Sequence, residues 1–271
     1  MKKIIYATDF SSNSVAALKY AAELARIMGD DLIALHVYPS YEVDRPKGDF
    51  LKDHQKELQD FCKLHLKENY QPKTISPAVV SGSSIAEEIL KFTKDLQVRV
   101  IVMGACGASK LKDKLVGTTT SEMIGKSSLP VLAVPPQYRF KQPQKILFAS
   151  TLDDQELIYL KELIPMAQSL EASIEVVHIT HRKEDEALQK LQDFQEKVEQ
   201  EIPYPKISYR TLHSSEVFDT LRKAIEKEEP DIVLMPEKRN MNLFKRGIVR
   251  DRIKRMQSCS PSPLLTFPAI V

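Results

Sequence analysis

Residues 2–7 read KKIIYA, and the same pattern returns at residues 144–149 as QKILFA. The segment LIALHV at residues 32–37 likewise returns as IEVVHI at residues 174–179, again 142 residues further along the chain. Self-similarity at a fixed spacing is the sequence signature of a duplicated structural unit. The chain is therefore predicted to contain two copies of one domain.

Two later pairs of segments support the duplication. VRVIVM at residues 98–103 corresponds to PDIVLM at residues 230–235, and SSLPVLAVP at residues 127–135 corresponds to SPSPLLTFP at residues 260–268. The spacing falls to near 132 residues in these pairs. A duplication with unequal loops, in which one copy lost residues between its second and fourth strands, is the simplest explanation.

Short apolar runs alternate with helical segments in each copy. An apolar run without polar alternation, such as residues 2–7, predicts a strand buried on both faces of a parallel sheet. The other elements predicted in the first copy are strands at 32–38, 74–80, 98–103 and 130–134, and helices from Ser11 or Ser12 to Gly29, at 49–68, at 84–95 and at 118–126. This alternation predicts an α/β fold with two tandem open parallel-sheet domains, residues 1–138 and 143–271.

Composition limits the classes of partner and compartment. The 39 lysines and arginines nearly cancel the 37 aspartates and glutamates, which argues against nucleic acid or an anionic membrane as a bulk partner. No apolar stretch approaches the roughly 20 residues of a membrane span, and the first residues do not resemble a secretory signal. The three cysteines lie far apart, as is common in a reducing compartment. We therefore expect a cytoplasmic protein without a membrane association.

The segment after strand 98–103 carries the strongest chemical signal. It reads GACGASKLKDKLVGTTTSE, with Gly104 and Gly107 around a tight turn and Gly117 opening a predicted helix. Glycine permits close backbone approach, a helix start offers free N–H groups, and threonine hydroxyls add further donors. Together these features predict a polyphosphate-binding loop at the carboxyl end of the sheet. The alternative is a glycine-containing turn followed by an ordinary capped helix.

The sequence also resembles a known family at this point. G-x-x-G, nine residues and then G-S/T is similar to the ATP-binding signature of the universal stress protein superfamily, and residues 104–118 match it at each position. IIYATDFSSNSVAALKYAAELA and IALHVY look like the first strands and helix of that family. The resemblance is strong over the first copy and weak over the second, as in the tandem two-domain type. It implies a Rossmann-like, adenine nucleotide α-hydrolase-like fold in which the last strands pair, so that one chain forms an intramolecular pseudo-dimer.

The resemblance implies ATP and Mg²⁺ as cofactors and a role for nine residues. Asp9 would face the nucleotide directly or through Mg²⁺, while the alternative for Asp9 is a helix cap. Val37 would contact adenine through its backbone, and Met103 and Gly104 would border the ribose. Phosphate contacts are implied for Gly107, Gly117, Thr118, Thr119 and Thr120.

The second copy departs from this pattern. Pro236 stands in the place of Gly104 and Arg239 in that of Gly107, while Gly247 is followed by Ile248 rather than threonine. We therefore expect this copy not to bind ATP in the same way. Its residues 238–255 concentrate positive charge, which indicates either a surface for an anionic ligand, RNA or an acidic partner, or a solvated helix face.

These observations favour an ATP-binding regulatory protein with a degenerate second domain, an unknown protein partner and a possible homo-oligomeric state. The alternatives are a weak ATPase or nucleotidyl-transfer enzyme, and a nucleotide-free scaffold that uses the basic segment. The sequence contains no nucleophile motif and no metal-ligand spacing. His36 and His178 occupy equivalent apolar strands, which favours a structural role for both.

Overall fold

The chain forms two compact units. The structure is a computed structural model that describes residues 1–39, 47–105, 118–237 and 243–269. The first unit comprises Met1–Phe140 with Gln257–Cys259, and the second comprises Lys141–Met256 with Ser260–Val271. Each unit contains one of the two sequence repeats.

The first unit is a doubly wound parallel sheet, as predicted. Its strands are β1 (Lys3–Thr8), β2 (Asp31–Pro39), β3 (Ile75–Gly82), β4 (Val98–Gly104) and β5 (Val131–Val134), and its helices are α1 (Ser12–Met28), α2 (Lys47–Leu66), α3 (Ile85–Thr93) and α4 (Thr118–Lys126). The strands lie in the order β3-β2-β1-β4-β5, and the paired strands are parallel. The chain therefore reverses its direction of travel across the sheet between β1 and β4, where ligands bind in folds of this type.

The second unit repeats this topology. Its strands are β6 (Lys145–Ser150), β7 (Ser173–Thr180), β8 (Ile207–His213), β9 (Ile232–Leu234) and β10 (Leu264–Thr266), and its helices are α5 (Glu156–Leu170), α6 (Glu184–Glu201), α7 (Val217–Glu228) and α8 (Leu243–Cys259). The order β8-β7-β6-β9-β10 is that of the first unit. Within the described ranges, every helix is too short or too polar to cross a membrane.

The duplication extends to single backbone angles. Phe10 and Leu152, at the turn after the first strand of each unit, both have positive φ, 61° and 56°. The N–H of Phe10 donates to Thr8 Oγ1 at 3.0 Å, and the N–H of Leu152 donates to Ser150 Oγ at 2.9 Å. Because both units share this rare conformation, it belongs to the fold rather than to one ligand site.

The two strand histidines have the structural role predicted for them. His36 Nδ1 lies 2.6 Å from the carbonyl of Thr8, and His178 Nδ1 lies 3.0 Å from the carbonyl of Ser150. Both side chains are buried. Burial lowers the pKa of each imidazole, because water no longer stabilises the charged form.

Four charged residues form an ion cluster that connects strands β6, β7 and β8 with helix α7 in the second unit. Lys145 Nζ lies 2.8 Å from Glu175 Oε2 and 2.9 Å from Glu228 Oε2. Arg210 contacts the same two carboxylates at 3.1 and 2.7 Å. Burial alone would raise the pKa of Glu228, but hydrogen bonds from Lys145 and Arg210 outweigh burial and lower it.

Candidate functional site

A cleft of about 600 Å³ opens at the carboxyl ends of β1, β2 and β4. It lies at the point where the strand order reverses. Of the predicted site residues, the structure brings six into its lining: Asp9, Val37, Met103, Gly104, Thr119 and Thr120. Gly107 and Gly117 lie outside the described residues, as does the side chain of Thr118.

Asp9 directly follows β1, and its side chain is exposed in the cleft. Its Oδ1 accepts a hydrogen bond from the N–H of Ser11 at 3.0 Å. That bond stabilises the turn before α1, whose N-cap residue is Ser11, so it is a turn contact rather than the helix cap of the alternative. In the described part of the chain, no group of three or more His, Cys, Asp or Glu side chains is arranged to hold a metal ion. A cation at Asp9 would need further oxygen ligands, which water or a bound phosphate could supply.

The strand residues form the floor of the cleft. Val37 and Met103 are almost fully buried, with 4% and 5% of their surface exposed. Side chains alternate along a strand, so Val37 lies on the face of β2 opposite His36 and Tyr38. A ligand in the cleft therefore meets apolar surface at Val37 and Met103, while His36 and Tyr38 line the cleft from the other face of β2.

Gly104 is required by close contact with the first turn of α1. A Cβ atom at this position would lie 2.9 Å from the backbone oxygen of Asn13 and 3.4 Å from Cα of Ser14. Asn13 and Ser14 also line the cleft. The glycine thus allows two backbone segments of the site to meet, and any larger residue would displace one of them.

The amino end of α4 faces the cleft through Thr119 and Thr120. The first N–H groups of a helix have no partner within the helix and attract anions. Thr120 donates its hydroxyl hydrogen to the carbonyl of Gly104 at 2.9 Å. Because a hydroxyl has one hydrogen, Thr120 would contact a phosphate through its backbone N–H unless this bond is broken.

A polar cluster that was not predicted from the sequence lies at the β2 side of the cleft. Tyr38 OH lies 2.7 Å from His54 Nδ1, and His54 Nδ1 lies 2.8 Å from Glu57 Oε2. His54 Nδ1 thus lies within hydrogen-bond distance of both a hydroxyl and a carboxylate, and the tautomer of the ring decides which group donates. The signals that could have revealed it are the three-residue spacing of His54 and Glu57 on one helix and the position of Tyr38 beside Val37.

The second unit differs at the corresponding positions. Pro236 is buried where the first unit has Gly104. Helix α8 already begins at Leu243, so its residues from Arg250 onward lie inside a helix rather than at its start. Two cations of the basic segment have partners within this unit: Arg250 contacts Glu237 at 3.2 Å, and the Arg255 guanidinium lies 4.1 Å from the centre of the Phe218 ring. The ion pair with Glu237 offsets one positive charge of the segment, and the ring contact fixes the position of Arg255.

A doubly wound parallel sheet with a polar cleft at its switch point places the protein among the Rossmann-like α/β proteins. A model described as the universal stress protein family matches residues 1–135. Universal stress protein MJ0577 of Methanocaldococcus jannaschii is 31% identical over 155 residues, covering 49% of this chain and 94% of that protein. Universal stress protein YxiE of Bacillus subtilis is 28% identical over 148 residues, covering 49% of this chain and 97% of that protein. The chain belongs to the universal stress protein family.

A solved structure shares the fold of the whole chain. The universal stress protein from Archaeoglobus fulgidus has a TM-score of 0.72 and 17% identity, with 98% of each chain covered. At this identity the likeness concerns the fold, and it agrees with a tandem arrangement of two α/β units.

Proposed function

We propose that the protein is an ATP-binding regulatory protein whose first unit holds the nucleotide and whose second unit does not bind it in the same way. One observation supports this most strongly. The amino end of α4, the carboxylate of Asp9 and the close backbone contact at Gly104 meet in one cleft at the switch point. Family membership and the loop motif at residues 104–118 support the same proposal.

The cleft fits the parts of a nucleotide by its chemistry. The α4 end offers unpaired N–H groups to phosphates, and the buried strand side chains offer apolar surface to a base. Val37 lies in β2, which is on the other side of β1 from β4. Adjacent strands are about 4.8 Å apart, so β2 and β4 are separated by about 10 Å, which leaves room for a ribose between a base at β2 and phosphates beyond the end of β4.

Binding would act as a switch if ATP favours one conformation of the chain and a protein partner binds that conformation preferentially. We include in this proposal an unknown protein partner and a possible homo-oligomeric state. Mg²⁺ is assigned to Asp9 and to the phosphate oxygens, because hard cations prefer such oxygen ligands.

Calorimetric titration with ATP tests the proposal. We expect about one site per chain, with tighter binding in Mg²⁺ than in EDTA. Asp9→Asn retains an oxygen for the Ser11 N–H but loses the charge, so it should abolish the Mg²⁺ dependence. Asp153→Asn is the matched control, because Asp153 accepts a similar hydrogen bond from Gln155 at 3.1 Å in the second unit. Two sites per chain, or no binding to nucleotide-free protein, would contradict the proposal.

A hydrolytic function is the second candidate, and the polar cluster in the cleft favours it. Tyr38 and Glu57 hold His54 in the lining of the cleft, where an imidazole is a candidate general base for activating water. Phosphate release that His54→Gln abolishes while ATP affinity is retained would support hydrolysis. Release at the background rate in the unchanged protein would leave binding as the function.

A further inference from the structure

The two units can be aligned residue by residue at the end of their fourth strands. The N–H of Ala105 donates to the carbonyl of Val134 at 2.7 Å, and the N–H of Glu237 donates to the carbonyl of Phe267 at 3.0 Å. These bonds are equivalent in the two sheets. Glu237 therefore occupies in the second unit the position that Ala105 occupies in the lining of the first cleft.

The helices that follow can be aligned in the same way. The N–H of Ser127 donates to Met123 at 2.8 Å, and the N–H of Ser260 donates to Met256 at 2.8 Å. Counting back from these helix ends, Arg250 takes the position of Gly117 in the loop motif. A position that lines the cleft in the first unit (Ala105) thus carries a carboxylate in the second unit, and a position of the loop motif (Gly117) carries a guanidinium.

Glu237 and Arg250 are bound to each other. Arg250 Nε and Nη2 both lie 3.2 Å from Glu237 Oε2, and Glu237 is 5% exposed. Its backbone carbonyl accepts a hydrogen bond from Tyr159 OH at 2.6 Å. An arginine that donates two N–H groups to one anion is the usual partner of both carboxylates and phosphates.

A second carboxylate fills the neighbouring position. Glu156 corresponds to Ser14, which lines the first cleft. Glu156 is 1% exposed and accepts hydrogen bonds from Ser150 Oγ and from the N–H and hydroxyl of Thr151, the last two at 3.1 and 2.9 Å. The second unit therefore has a buried carboxyl group on each side of its switch point, with Glu156 hydrogen-bonded to Ser150 and Thr151 and Glu237 to Arg250.

We propose that Arg250 forms an anion-binding site in the second unit and that the carboxylate of Glu237 occupies this site. The second unit keeps the contact between β9 and α8 without a ligand, because its own carboxylate takes the place of a phosphate. Removing that carboxylate opens a site for a small phosphate anion. The proposal rests on the proposed function, because it takes the cleft of the first unit as the nucleotide site. Its test measures anion binding by the second unit.

Glu237→Ala tests the proposal, since it installs the residue that the first unit has at Ala105. Pyrophosphate is the probe, and calorimetry with the full chain is the measurement. We expect one more pyrophosphate site per chain than in the unchanged protein, with affinity at that site about tenfold or more above background, as for a charge-assisted hydrogen bond. Glu237→Gln keeps the side-chain volume and should give a smaller gain, and it serves if the alanine variant does not fold.

Glu237→Ala with Arg250→Gln is the matched control and should return the stoichiometry to that of the unchanged protein. A folded Glu237→Ala or Glu237→Gln variant without additional pyrophosphate binding would overturn the proposal. So would additional binding that persists without Arg250. ATP binding to the unchanged protein is measured in parallel, and its failure would contradict the proposed function while leaving a gained pyrophosphate site as support for this inference.

Discussion

Replacing Gly104 with alanine should lower the stability of the first unit and reduce the affinity of its cleft for nucleotide. The new Cβ would lie 2.9 Å from the Asn13 oxygen and 3.3 Å from the Asn13 carbonyl carbon, whereas ordinary contacts begin near 3.4 Å. The first turn of α1 must therefore move by about 0.5 Å. Overpacking of this kind costs about 1–3 kcal/mol. We expect Tm to fall by about 3–10 °C for a unit of this size.

The same displacement should reduce nucleotide affinity, because Asn13 and Ser14 line the cleft beside Asp9. Loss or lengthening of one hydrogen bond to a ligand costs about 1.4 kcal/mol, which corresponds to a tenfold rise in Kd. Differential scanning fluorimetry and calorimetry with ATP measure the two effects separately.

Gly125→Ala provides the matched control within α4. A Cβ at Gly125 would have no atom within 4 Å, and alanine is favoured over glycine inside a helix. This variant should gain about 0.5–1 kcal/mol of stability with ATP affinity unchanged. If Gly104→Ala matches the unchanged protein in both Tm and Kd while Gly125→Ala behaves as expected, the close contact at Gly104 does not constrain the site.

Three further predictions concern pH, charge and thiols. Burial lowers the pKa of His36 and His178, so the unfolded chain binds more protons than the folded one below about pH 6.5. The free energy of unfolding should therefore decline as pH falls below that value, and urea titrations of a variant with glutamine at both positions should show a flatter decline; an unchanged slope would refute this. Glu228→Gln removes one carboxylate of the four-residue ion cluster and should cost about 1 kcal/mol at pH 7; this loss should shrink as the pH falls through the lowered pKa of Glu228, so a loss that stays constant throughout the acid range would count against it. Burial raises the pKa of Cys62 to about 12, so iodoacetamide followed by peptide mapping should modify exposed Cys259 in the native protein and Cys62 only after unfolding.

The candidate site was partly predictable from local sequence. Helix α4 begins at Thr118 and ends at Lys126, as the glycine and threonine pattern predicted, and α1 ends at Gly29 with φ of 65°. Such features depend on residues that are neighbours along the chain, where capping and glycine preferences act. Asp9 and Val37 reach one cleft because a parallel sheet places the carboxyl ends of its strands at one edge.

Other parts of the site depend on contacts between residues distant in sequence. Tyr38 meets His54 and Glu57 only because α2 folds back over β2, and a charged helix alone gives no sign of that contact. The need for glycine at Gly104 arises from Asn13, which the strand order brings against it.

The sequence by itself determined the duplication, the alternation of strands and helices, and the different loop chemistry of the two copies. These properties are periodic or local, and a single pass along the chain reveals them. The tertiary structure alone decided that Glu237 and Arg250 pair where the first unit has small residues. Partner choice among many charged side chains depends on which ones the strand order and helix register bring within hydrogen-bond distance, and no local pattern encodes that distance.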